Sequence, residues 1–143
     1  MKMTRWLIAA VLAAPGWIRA AEPARLALEL DGEGRREAAA VEFRRLALAE
    51  PDAAAAGGWF WLAAHEYAQA GQAAAADRML DRAEDRAPGA LAAPVAWLRA
   101  ENALAEKDWT AAAFHFDSLK LKADAADLRE FAARGSAAAH LRD

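Results

Sequence analysis

The chain has 143 residues, 57% of them hydrophobic and none of them cysteine, and its 18 Lys and Arg stand against 21 Asp and Glu. This length suffices for one domain with a modest core, and the lack of cysteine excludes disulfides and a lipid-modified N-terminal cysteine. Much of the hydrophobic content is alanine, which favours helix and buries little area per residue. We therefore expect a closely packed, all-α fold.

The first twenty residues have the layout of a secretory signal peptide. Lys2 and Arg5 precede an apolar run over 6–14, and a proline-glycine pair follows it before small residues. The run is about half of the roughly 20 residues that a transmembrane helix needs. We expect residues 1–20 to be removed, so that the mature protein begins at Ala21 and is exported, to the periplasm of a Gram-negative bacterium. An uncleaved N-terminal anchor is the alternative.

The charge balance becomes more acidic once this leader is set aside. Three of the 18 basic residues and none of the 21 acidic ones lie in it, which leaves 15 basic residues against 21 acidic ones. A net negative chain is a poor match for nucleic acid or for an anionic membrane surface. We therefore expect no nucleic-acid partner, and membrane contact only through an uncleaved leader or through a partner.

Three stretches of the chain align as an internal repeat, with copies 37 and then 36 residues apart. Large apolar residues share one column and alanine shares two others: Phe43, Leu80 and Phe116; Ala39, Ala76 and Ala112; Ala27, Ala64 and Ala100. Two further columns are Leu30, Tyr67 and Ala103, and then Gly34, Gly71 and Lys107. This pattern predicts a helical hairpin in each copy, with close crossing at the alanines and a break at the glycine column.

The middle copy, FWLAAHEYAQAGQAAAADRMLDRAEDRAP from Phe60 to Pro88, resembles the tetratricopeptide repeat (TPR) family. The first copy lacks the early aromatic, and the third has Lys107 for glycine, Ala103 for tyrosine and Asp124 for proline. The resemblance implies a TPR-like α-solenoid of about three helix-turn-helix repeats and a C-terminal capping helix. The expected bounds are 23–52, 57–89 and 93–124 within 21–125, and then 126–143. The residues in excess of the family's unit are expected in the loops AEPDAAAAGG and RAPGALAAP.

Three large aromatics, Trp59, Phe60 and Trp61, follow one another near a predicted helix start. Successive helical residues point about 100° apart, so the three rings cannot share one core. If Phe60 fills the core position that the resemblance implies, Trp61 faces the concave groove that such superhelices use for binding. His65 and Gln69 continue the same stripe at one-turn intervals.

The third copy repeats this arrangement, because Trp97 aligns with Trp61 and Glu101 with His65. The predicted partner-binding groove therefore consists of Trp61, His65, Gln69, Trp97 and Glu101. A partner that presents apolar or basic side chains suits this set, since tryptophan is common at binding hot spots. The stripe has no run of lysine and asparagine of the kind that clamps a terminal carboxylate in TPR domains. The alternative is that the tryptophans are packed in the core.

No motif in the chain indicates catalysis. HEYAQ at 65–69 has Gln69 where a zinc-binding HExxH helix needs its second histidine, and GxSxG elbows and phosphate loops are absent. We predict no catalytic residue, no metal, no cofactor and no small-molecule substrate. The main interpretation is a non-enzymatic interaction module or scaffold of the cell envelope, which binds another envelope protein or peptide. The alternatives are a self-associating structural spacer and an enzyme of unrecognised type.

Overall fold

The computed structural model describes residues 21–124 and 126–142, so the predictions for residues 1–20 lie outside it. The described residues form seven α-helices and no strand, which confirms the all-α prediction. The helices are α1 (Ala21–Gly32), α2 (Arg36–Ala49), α3 (Ala53–Gln69), α4 (Ala73–Arg86), α5 (Ala92–Ala105), α6 (Trp109–Lys122) and α7 (Ala126–His140).

The chain divides into two compact units between Ala87 and Pro88. In the first unit α1 packs against α2, α2 against α3, and α3 against α4. In the second unit α5 packs against α6, and α6 against α7. Short connections favour such packing between consecutive helices. The helices of each predicted hairpin therefore pack together, and the segment predicted as a cap is a helix that packs on α6.

The turn inside each hairpin has the same backbone conformation in all three copies. Its central residue has a positive φ, which is 74° at Gly34, 75° at Gly71 and 61° at Lys107. The amide of the next residue donates to a carbonyl five residues back, at 2.9 Å in every copy; the pairs are Arg35 to Leu30, Gln72 to Tyr67, and Asp108 to Ala103. This is the closing bond of a Schellman motif. The glycine column of the sequence is thus the left-handed residue at each helix end.

The two alanine columns and the column of large apolar residues are buried throughout. The six alanines of the two alanine columns are 0% exposed, and the large apolar column is nearly as closed, at 2% for Phe43, 0% for Leu80 and 1% for Phe116. An alanine at a crossing lets the neighbouring helix approach closely, while the large residue one turn later fills the space beside it. The repeat seen in the sequence is therefore a repeat of packing positions.

Helix α3 begins at Ala53, four residues before the predicted start at residue 57, so part of the stretch AEPDAAAAGG is helix and not loop. The cause is local. The Asp52 carboxylate accepts a hydrogen bond from the Ala55 amide at 2.8 Å, which caps the helix. The alanines that follow have the highest helix propensity and extend the helix toward the cap.

We expect Lys107→Gly to stabilise the second unit. Lys107 holds φ at 61°, a conformation that costs a residue with a Cβ about 1 kcal/mol and costs glycine nothing. The substitution should raise the free energy of unfolding in urea by about that amount. Gly71→Ala is the matched control at the equivalent turn, and it should lower the free energy of unfolding. Equal stability of Lys107→Gly and the parent chain would show that the turn is not strained.

Candidate functional site

The predicted groove residues of α3 lie on one stripe of that helix. The rings of Trp61 and His65 stack, with their centroids 5.8 Å apart and their planes at 23°. Trp61 is 0% exposed and His65 is 5% exposed, whereas Gln69 is exposed at the end of the stripe. A partner that contacts the two rings must displace the groups that cover them. Gln69 is the part of this stripe that a partner reaches directly.

The predicted residues of α5 belong to the second unit. Trp97 is 5% exposed, and Glu101, one turn later, is partly buried. Burial raises the pKa of the Glu101 carboxyl above its ordinary value, because it disfavours the charged form. No lysine or arginine among residues 21–124 and 126–142 forms an ion pair with this carboxylate. Glu101 is therefore a partly buried acid that these residues do not neutralise.

The consecutive aromatics Trp59, Phe60 and Trp61 are all buried, at 3%, 1% and 0% exposure. They face different surroundings, as their helical spacing requires. Trp59 stacks on Phe43 of α2, with ring centroids 6.0 Å apart and planes at 19°. The stretch from Ala56 to Glu66 is buried at every residue, so α3 is the most enclosed helix of the first unit as it is described.

A polar cluster at the C-terminal end of this stretch joins three helices, and its His65 and Glu66 side chains are buried. The Glu66 carboxylate lies 3.1 Å from His65 Nδ1 and accepts a hydrogen bond from Arg36 Nη1 at 3.0 Å. Arg36 also pairs with Asp31 at the end of α1. Glu66 is 4% exposed, and among the described residues it is the only Asp, Glu, Lys or Arg that is buried. The cluster ties the end of α1 and the start of α2 to the last turn of α3.

This cluster was not predicted from the sequence, although one signal for it was present. Glu66 is the only acidic residue of α3, and Arg36 lies 30 positions earlier, so no local pattern relates them. A lone carboxylate in an apolar helix requires a partner when it is buried. The Nδ1 atom of His65, one of the predicted groove residues, contacts Glu66, and its Nε2 atom has no hydrogen-bond partner in the described part of the protein.

We expect Glu66→Gln to destabilise the first unit in a pH-dependent way. Burial raises the pKa of Glu66, but the hydrogen bonds and charges of His65 and Arg36 outweigh it, so the pKa lies below its ordinary value of 4.5. A lowered folded-state pKa stabilises the fold at pH above 4.5 and ceases to do so as pH falls through the folded value. Glu66→Gln should cost about 2 kcal/mol at neutral pH, and the difference should shrink in acid.

Urea unfolding at neutral pH and near pH 3 measures this difference. The control is Glu42→Gln, which removes an ion pair with Arg45 on the surface and should change stability by less than about 0.5 kcal/mol. A loss of stability from Glu66→Gln that is the same at both pH values would contradict an electrostatic role for the cluster.

Glu101→Gln should have the opposite effect. A folded-state pKa above the ordinary value means that the folded state loses stability as pH rises from the unfolded pKa through the folded one. The amide avoids this loss, so the variant should be more stable than the parent chain at neutral pH and equally stable in acid. Thermal or urea unfolding of the parent protein and of the Glu101→Gln variant tests this prediction. Glu106→Gln is the control, because Glu106 is exposed. If Glu101→Gln lowered the stability at neutral pH, a neighbouring group would have to stabilise the charge of the Glu101 carboxylate, which would contradict the prediction.

The described residues contain no group of three or more His, Cys, Asp and Glu side chains placed to hold a metal ion. No helix within 21–124 or 126–142 is long and apolar enough to cross a bilayer. Comparison with protein families, curated proteins and solved structures gives no match for this chain.

Proposed function

We propose that this protein is a non-enzymatic interaction module of the bacterial cell envelope, which binds another protein or peptide through a groove of TPR-like hairpins. The support for a TPR-like solenoid is the repeated packing: three hairpins share one turn conformation, and their aligned alanines are fully buried. The support for export is the charged, apolar and then helix-breaking order of residues 1–20. Repeat folds of this kind serve many functions, so a function must be inferred from the residues of the site and not from the fold.

The observation that carries the proposal is the state of Glu101. Its carboxylate is partly buried one turn from Trp97, and no cation among the described residues pairs with it. A basic side chain of a partner lowers the cost of that buried charge, and a partner that displaces the groups covering Trp97 gains apolar contact area as well. On α3 the exposed Gln69 ends the equivalent stripe and offers an amide to the partner backbone. Both features suit a partner with basic and apolar side chains.

A second candidate, self-association as a structural spacer, is favoured by one feature of α6. Phe114 is 69% exposed and Leu121 is 84% exposed, and their separation of seven positions places both on one face of the helix. Large apolar side chains on one exposed face mark interaction surfaces when they form a continuous patch. A second copy of the chain could cover this face.

Site-specific photo-crosslinking in cells separates the two functions. The reactive group is placed at Gln69 for the groove, at Phe114 for the α6 face, and at Arg82 as an exposed control on α4. We expect a discrete adduct with another protein from Gln69 and none from Arg82. A further reactive group at Ala105, which is exposed one turn after Glu101 on α5, should also give an adduct. Glu101→Gln should lower the yield of that adduct severalfold, because it removes the charge that attracts the partner.

The mass of the adduct decides between the candidates. An adduct of twice the chain's mass from Phe114, with none from Gln69, would support self-association and contradict groove binding. Equal adducts from Gln69 and Arg82 would show that the groove has no selectivity, and the proposed function would fail.

A further inference from the structure

The second unit contains a cavity of about 200 Å³ that opens to solvent. It lies between the end of α5, the first half of α6 and the last two turns of α7. Its walls are almost entirely apolar: Leu104 from α5, the rings of Trp109 and Phe116 from α6, and Gly135 with its neighbours from α7. The side chain of Arg142, just after α7, stands at its edge. No predicted groove residue takes part in this cavity.

Gly135 sets the depth of the cavity floor. A Cβ built on Gly135 lies 2.7 Å from two carbons of the Phe116 ring, which no real contact allows. The ring therefore rests directly on the backbone of α7, where Phe131 also meets it edge-on at 5.9 Å. Glycine within a helix costs about 0.5 to 1 kcal/mol relative to alanine. Glycine at position 135 lowers the stability of the helix by this amount, but it leaves the space that the Phe116 ring occupies in the cavity wall.

Arg142 makes the cavity edge cationic. Its guanidinium lies 5.1 Å from the centroid of the Trp109 ring, within the range of a cation–π contact. No carboxylate of residues 21–124 and 126–142 pairs with it. Leu141, beside it, is 88% exposed. An apolar hollow, an exposed aliphatic side chain and a cation without an acidic partner in the described chain therefore meet at one place.

The size of the cavity indicates what it can hold. Binding pockets for small molecules usually measure about 300 to 1,000 Å³, which is larger than this cavity, whereas an apolar cavity of about 150 Å³ binds benzene. One aromatic or large aliphatic side chain therefore fits. The guanidinium at the edge favours a carboxylate next to that side chain.

We propose that this cavity receives one aromatic or large aliphatic side chain of a protein partner, and that a carboxylate beside that side chain pairs with Arg142. The proposal rests on the proposed function, since it gives the interaction module a second contact with its partner. It differs from the groove in chemistry: Glu101 selects a basic group, whereas the cavity selects an acidic and apolar pair. A partner that satisfies both carries the two kinds of residue in separate segments.

Nuclear magnetic resonance with the whole chain tests the cavity directly. The probe is the peptide Ac-Gly-Phe-Asp-Gly-NH2, titrated to millimolar concentration, and the readouts are the Trp109 indole and Gly135 amide signals. Two matched peptides replace Asp by Asn or Phe by Ala. We expect the Phe-Asp peptide to shift both signals, the Asn peptide to bind at least threefold more weakly, and the Ala peptide to shift neither signal.

Three variants locate the binding. Arg142→Gln should remove the preference for Asp over Asn. Ala138→Trp fills the cavity from its wall and should abolish the shifts, while Ala137→Trp, an equally exposed neighbour outside the cavity, should retain them. Equal binding of the Asp and Asn peptides, or shifts that survive Ala138→Trp, would overturn the proposal. Signal broadening without peptide that Ala138→Trp relieves would also overturn it, because a second copy would then fill the cavity.

The two proposals fail separately. If the peptide does not bind but Gln69 still gives its adduct in cells, the interaction module stands and the cavity is not its contact. If the peptide binds as expected but no adduct forms at Gln69, the cavity stands and the groove does not.

Discussion

Alanine at the helix crossings is the constraint on which the rest of this structure depends. The alanines of the two aligned columns are fully buried, so each of the six hairpin helices, α1 to α6, carries a buried residue that adds almost no bulk. Close crossings leave room for few large side chains, and those few supply most of the buried area. Phe43 against Trp59 and Phe116 against Phe131 are two such contacts. Any larger residue at a crossing would force the helices apart.

The parts of the fold that were predictable are those set within one hairpin. The glycine column and the buried columns follow from spacing alone, because a helix end and a crossing each demand a particular residue type. The start of α3 was missed, since the cap at Asp52 competes with the glycines that suggested a loop. The pairing of Arg36 with Glu66 spans 30 positions, and the cavity depends on where the Phe116 ring settles. Neither leaves a local pattern in the sequence.

Two glutamates, one in each unit, show that neighbouring groups decide whether burial raises or lowers the pKa of a carboxyl. Glu66 is enclosed with His65 and Arg36, so its charge is favoured and it joins α1, α2 and α3. Burial acts on Glu101 without such a counterweight among the described residues, and its pKa rises. The first carboxylate serves the fold. The second keeps a charge that no described lysine or arginine pairs with, which is the property that the proposed binding role uses.

The packing of consecutive helices also bears on how quickly each unit folds. Within each unit the principal contacts join a helix to the one before or after it, so few long loops must close before contacts form. Chains with such low contact order fold in microseconds to milliseconds, faster than those that pair distant segments. A helix pair that assembles in that time exposes its apolar faces only briefly. The contacts between consecutive helices, which also make the repeat visible in the sequence, therefore shorten the time during which the unfolded chain can aggregate.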